Sequence, residues 1–140
     1  MRTSARNHFN GKVTAVKAGA VNDEITLNAD GLELVAIITH GSAASLGLKQ
    51  GSDAFALIKA SSVVVMVGAD PSKVSARNCV EGTVASVEKG AVNAEVVIKA
   101  SGGAQIVSII TNDSVDRLGL ALGSKASAIF KASSVIVGVA

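Results

Sequence analysis

The 140-residue sequence predicts a mainly β protein made of two tandem, partly open five-stranded barrels. Three observations predict it. The chain is one unit written twice. Its apolar residues are almost all small or β-branched, with three Phe and no Trp or Tyr, a composition that suits strands and tight packing. Within each copy, short alternating runs are punctuated by glycine turn signals, leaving room for one short helix.

The repeat is read from its polar phrases. Ser4-Ala5-Arg6-Asn7 returns as Ser75-Ala76-Arg77-Asn78, Gly19-Ala20-Val21-Asn22 as Gly90-Ala91-Val92-Asn93, and Lys59-Ala60-Ser61-Ser62-Val63 as Lys131-Ala132-Ser133-Ser134-Val135. Residues 4–67 align with 75–139 around one extra residue, Gly103, and about half of the paired positions are identical. The expected organisation is a first module over 1–68, a linker over 69–74 that holds Pro71, and a second module over 75–140. Modules this small are marginal alone, so they are expected to pack on each other or on other subunits. Strand positions drift among Val, Ile, Leu and Ala, as a core tolerates. Identical polar phrases need another reason, either a special backbone geometry or a ligand.

Copy one reads as follows. Phe9–Lys17 alternates imperfectly and is a strand; Gly19 to Asp23 is a turn; Glu24–Ala29 alternates cleanly. Asp30-Gly31 is a hairpin signal leading into a strand over Leu34–Thr39. Ser42 is the expected N-cap of a short helix that Gly47 ends, a device repeated by Ser114, Leu118 and Gly119. After a turn at Gly51-Ser52, Ala54–Ala60 and Ser62–Val67 close the unit. Copy two repeats this with strands at Val80–Glu88, Ala94–Ala100, Gln105–Thr111, Ala126–Ala132 and Ser134–Val139. The order β-β-β-α-β-β fits a barrel of the OB type.

Composition removes several function classes. The net charge of +2 gives no strong pull toward nucleic acid or an anionic membrane. Single-strand binding needs aromatic platforms, and this chain has few aromatic rings. One cysteine, Cys79, permits no intrachain disulfide and reads as a small buried thiol. Apolar runs such as Val63–Val67 are far too short to span a bilayer, and residues 1–12 lack a signal peptide's apolar core, so a cytoplasmic location is expected.

No catalytic residue is assigned. His8 aligns with Cys79 and His40 with Asn112, so neither histidine belongs to a duplicated mechanism, and both read as surface or strand-end residues. Glu24 and Glu95 are the one acid pair kept in both copies, each a solvated charge or a backbone acceptor beside a turn. No Walker loop, dinucleotide fingerprint or zinc spacing is present, and no cofactor or metal cation is implied. What the repeated phrases share is donors: Arg6 and Lys59, the hydroxyls of Ser4, Ser61 and Ser62, the amides of Asn7 and Asn22, and small residues that expose backbone N–H groups. Such a set suits a small oxyanion and disfavours one that keeps a proton, whose hydroxyl would find no acceptor. The alternative reading of Lys-Ala-Ser-Ser is a turn between two strands.

The ordered phrases, taken together, resemble the molbindins, small molybdate-binding proteins built from the Mop (TOBE) domain; the resemblance covers nearly the whole chain, twice. It implies OB-type barrels, six of them around a threefold axis, hence a homotrimer of this two-module chain, with molybdate (and tungstate as its analogue) held between modules. It implies a first kind of site where Ser4, Ala5 and Arg6 or Ser75, Ala76 and Arg77 meet Lys59, Ala60 and Ser61 or Lys131, Ala132 and Ser133 of another module. A second kind is implied near the threefold axis, from Gly19, Ala20, Val21 and Asn22 and from Gly90, Ala91, Val92 and Asn93. Storage or buffering of the oxyanion without catalysis is the expected function; a ligand-responsive regulatory module or an OB-fold nucleic-acid binder is the alternative. Lys89, where copy one has Ala18, is expected to make the two ends of a trimer differ if it points to the axis.

Overall fold

The computed structural model describes the whole chain, Met1–Ala140. Copy one supplies β1 (Asn7–Lys17), β2 (Asn22–Ala29), β3 (Leu32–Thr39), α1 (His40–Ser45), β4 (Asp53–Ile58) and β5 (Val64–Met66). Copy two supplies β6 (Asn78–Lys89), β7 (Asn93–Ala100), β8 (Gln105–Thr111), α2 (Asn112–Leu118), β9 (Lys125–Phe130) and β10 (Ile136–Gly138). No helix is long and apolar enough to cross a membrane.

Local chemistry explains the meander. Asp30 and Gly31 both take positive φ (51° and 80°), the geometry that a two-residue hairpin between β2 and β3 requires and that Asp-Gly accepts at low cost. The imperfect alternation of β1 has a structural cause: its register against β2 shifts between Val13 and Ala15, and β6 shifts against β7 between Val84 and Ser86. Such irregularities bend a strand and let the sheet curl.

Two details differ from the sequence reading. The helix N-caps are Thr39 and Thr111, whose hydroxyls accept the N–H of Ser42 and Ser114. A cap must stand before the first helical residue, and its side chain reaches the third helical N–H, the place that each serine occupies. The phrases Ala60–Ser62 and Ala132–Ser134 are not strand but single 3-10 turns, which end β4 at Ile58 and β9 at Phe130.

The sheets are five-stranded, and each takes its fifth strand from the other copy. Their orders are β10-β4-β1-β2-β3 and β5-β9-β6-β7-β8, antiparallel throughout. Thus Val65 of copy one lies opposite Ala128 of copy two, and Val137 of copy two opposite Ala56 of copy one. The 3-10 turns direct this exchange: each packs on the third strand of the other copy. Ser108 on β8 adds a bond to the Val63 carbonyl (2.6 Å) just before β5 leaves. Alanine at the matching position, Ala36, makes no such bond.

Exchange fuses the copies into one core. A single cluster of 28 buried residues runs from Phe9 and Ile25 in copy one to Phe130 and Val137 in copy two. It is built from the inward faces of both sheets, so neither copy has a separate interior.

Candidate anion-binding sites

The Ser-Ala-Arg-Asn phrase ends at the first residue of a strand in both copies. Asn7 lies opposite Ile58, and Asn78 opposite Phe130. The preceding residues Ser4 to Arg6 therefore run beside Lys59 to Ser61 because β1 pairs with β4, so within the chain the two phrases meet in one copy, whereas the resemblance implies a meeting between modules. Together they line a cleft of about 410 Å³, closed on the far side by Ile109 and Ile136 of copy two. Lys59 and Lys131 form no ion pair in the chain. The bonds of the first turn, from the Ser62 N–H to the Lys59 carbonyl (2.9 Å) and from the Val63 N–H to the Ala60 carbonyl (3.3 Å), use neither the Ala60 nor the Ser61 amide. The cleft thus offers a cation, hydroxyls and backbone N–H groups.

The arginine and asparagine of the same phrase are otherwise engaged. Arg77 grips Glu24 of copy one with two bonds (2.8 and 3.1 Å), and Arg6 holds Glu95 of copy two with one (2.9 Å). Each carboxylate raises its arginine's pKa, through the side-chain hydrogen bond first and charge second, and Arg77 holds the Glu24 carboxyl below the usual range. Two expectations are corrected here: Arg6 and Arg77 are not free donors, and Glu24 and Glu95 are ion-pair partners rather than solvated charges or backbone acceptors. Sequence distance hid these pairs, since each spans the two copies.

Asn7 and Asn78 are buried and act as splints. The Asn78 side chain accepts from the Val35 N–H and donates to the Val35 carbonyl, both at 2.8 Å, as a paired peptide would. Asn7 does the same with Val107 (2.8 Å each way) and also donates to the Ile58 carbonyl (3.2 Å). These contacts join the copies reciprocally and give the identical Arg-Asn pairs a structural reason.

Gly19 to Asn22 and Gly90 to Asn93 form the tight connections β1–β2 and β6–β7. Val21 and Val92 project there, 74% and 70% exposed. Glycine is required at Gly19 because a Cβ would stand 2.3 Å from the Asn22 carbonyl oxygen. The two turns are braced differently. In copy one the buried Asp23 carboxylate accepts the Gly19 N–H (3.1 Å) and the Nδ1 of His40 (2.9 Å). These contacts, the Gly19 N–H foremost, hold its pKa below the carboxylate range. In copy two Ala94 and Asn112 stand at those positions; the Asn112 side chain donates to the Gly90 carbonyl (2.9 Å), and the Gly90 N–H bonds the Asn93 carbonyl (2.7 Å). Lys89 pairs with Asp116 on α2.

His40 is therefore a bonded residue at the start of α1, while His8 is exposed and lies 5.0 Å from the Phe55 ring. Cys79 is free and half-buried, less enclosed than expected. The sequence reading missed the Asp23–His40 pair, although a signal existed: both residues depart from their twins, Ala94 and Asn112, beside a phrase otherwise copied intact. A further cleft, about 650 Å³ over Glu81, Thr83, Lys99 and Lys125, lies outside all the repeated phrases.

A model of the TOBE domain matches residues 3–65 and again residues 74–137. The chain belongs to the TOBE domain family. It is 46% identical, over 99% of its length, to the molybdenum transport protein ModE of Herbaspirillum seropedicae, of which it covers 52%. The molybdenum-pterin-binding protein MopA of Rhodobacter capsulatus is likewise 46% identical over 99% of the chain, with 53% of that relative covered. The chain thus spans about half the length of these curated relatives. A solved structure of the cytoplasmic molybdate-binding protein ModG with molybdate bound superposes with a TM-score of 0.93 at 47% identity, covering 100% of both chains. The TOBE pair and its close likeness to ModG agree with the two five-stranded sheets described above.

Proposed function

We propose that the chain binds molybdate reversibly, without covalent chemistry, and stores or buffers it in the cytoplasm. The observation that carries this reading is the cleft where Ser4, Ala5 and Arg6 meet Lys59, Ala60 and Ser61, with Lys59 free of any carboxylate partner. The full-length likeness to ModG supports it. In this reading the units are 1–68 and 75–140, joined by 69–74, and three chains assemble so that each cleft is completed by a neighbour. Lys59 and Lys131 supply charge, Ser4, Ser61, Ser75 and Ser133 supply hydroxyls, and Ala5, Ala60, Ala76 and Ala132 admit the anion close to backbone N–H groups. Arg6 and Arg77 act mainly as braces, since each already holds a glutamate. Tungstate, equally charged and nearly the same size, competes; phosphate carries a proton that the donor set leaves unmatched.

The test is isothermal titration of anion-free protein with molybdate, sulfate and phosphate in parallel, alongside its mass in solution. Saturable binding of molybdate alone, by a trimer, is expected. Lys59→Ala should weaken binding by about tenfold or more, the worth of one charge-assisted hydrogen bond, with the unfolding midpoint nearly unchanged. Equal heats for all three anions would rule out a selective store. A second reading, a ligand-responsive regulatory module, is favoured by the occurrence of the TOBE pair within curated relatives about twice as long. Ligand held between subunits would shift assembly by mass action.

A further inference from the structure

The two Gly-Ala-Val-Asn turns are copies in sequence, yet their supports differ in charge. The Asp23 side chain is only 3% exposed, and it spends one oxygen on the Gly19 N–H, the first amide of the turn. His40 closes the other side of the same carboxylate, with Nδ1 at 2.9 and 3.1 Å from its two oxygens. A carboxylate only accepts, so Nδ1 must carry the proton and donate. The copy-one turn is thus braced by a carboxylate; the first amide of the turn is already bonded in both copies, Gly19 to Asp23 and Gly90 to the Asn93 carbonyl, so the carboxylate is what sets the two apart. In copy two Ala94 removes the charge, and Asn112 braces the turn through a neutral amide bonded to the Gly90 carbonyl. Lys89, the nearest cation in sequence, is paired with Asp116 and leaves that brace uncharged.

An oxyanion approaching either turn meets an exposed valine, Val21 or Val92, and the flanking backbone. At copy one it also meets the carboxylate of Asp23, which repels a like charge. We infer that Asp23, held by His40, is a specificity-determining residue that closes the Gly19–Asn22 turn to dianions, so that of the two turns only Gly90–Asn93 takes one. The inference rests on the proposed molybdate reading together with the second kind of site that the family resemblance implies at these turns, and it makes the two turns unequal through Asp23 rather than through Lys89.

The test exchanges the supports between copies. One variant, D23A/H40N, gives copy one the pair that copy two already uses; D23N removes the charge while keeping an oxygen for the Gly19 N–H; A94D/N112H carries the acidic pair into copy two. Each is titrated with sodium molybdate while bound molybdenum per chain is counted and the methyl resonances of Val21 and Val92 are followed. In the unaltered chain the Val92 methyls are expected to shift and those of Val21 to stay in place. D23A/H40N and D23N should raise the molybdenum bound per chain and move Val21; a folded A94D/N112H should lose the Val92 response. Equal shifts at Val21 and Val92 in the unaltered chain, or a silent Val21 in both copy-one variants, would overturn the inference while leaving molybdate binding intact. If the unaltered chain takes up no molybdate at all, the functional reading falls first and this one with it.

Discussion

Two residues kept in both copies, Asn7 and Asn78, show how a side chain can stand in for a strand. Each amide pairs with a valine backbone in the other copy as a neighbouring peptide would. Buried groups of this kind matter more than the ion pairs beside them. The partners in Arg77–Glu24 are 51% and 29% exposed, and pairs in contact with water contribute little net stability. Replacing Asn78 by alanine leaves the Val35 N–H and carbonyl without their partner. At about 1–3 kcal/mol for each unsatisfied buried group, the expected loss is about 2–6 kcal/mol in urea unfolding. A smaller loss from Asn78→Ala than from Arg77→Ala would reverse this ranking. The sequence showed that these asparagines are repeated, but it could not separate splint from ligand. An amide that donates and accepts serves either purpose, and only the position of its partner decides.

Among the elements, the short strands β5 and β10 do the most for their length. Each has three residues, and each covers an edge that would otherwise present unpaired N–H and carbonyl groups to solvent. Each also places one valine, Val65 or Val137, in the shared core. A chain ending at Val135 lacks β10. Its loss should appear in copy one, where β4 becomes an edge: hydrogen exchange within Phe55–Leu57 is expected to quicken by at least about tenfold, with much smaller change in β9. Faster exchange confined to copy two would contradict the pairing. Alternation located the strands well, and the hairpin at Asp30-Gly31 followed from its turn chemistry. The exchange itself left no local mark, because the sequences of β5 and β10 (Val-Val-Met and Ile-Val-Gly) would suit either sheet.

For the molecule as a whole, the reciprocal contacts give the two copies a local twofold relation. Arg6–Glu95 mirrors Arg77–Glu24, Asn7–Val107 mirrors Asn78–Val35, and β10 on β4 mirrors β5 on β9. A unit that sends its last strand away cannot finish its own sheet. Residues 1–68 expressed alone are therefore expected to form a dimer, two identical copies exchanging β5 and repeating the same clasp. Light scattering decides it: a monomer with intact β signal would mean that the turn at Ala60–Ser62 can also fold β5 back onto β4.

The sequence by itself determined the duplication, the β architecture with its one helix per copy, and the donor-rich phrases that carry the family resemblance. Those are local properties, set by periodicity, turn residues and composition. Tertiary structure alone decided which donors stay available. Lys59 is left free and Arg6 is not, because the exchanged packing carries Glu95 to one and no carboxylate to the other. It also decided that two identical turns rest on unlike supports, since Asp23 and His40 meet only when the β2–β3 hairpin brings the start of β2 beside the start of α1.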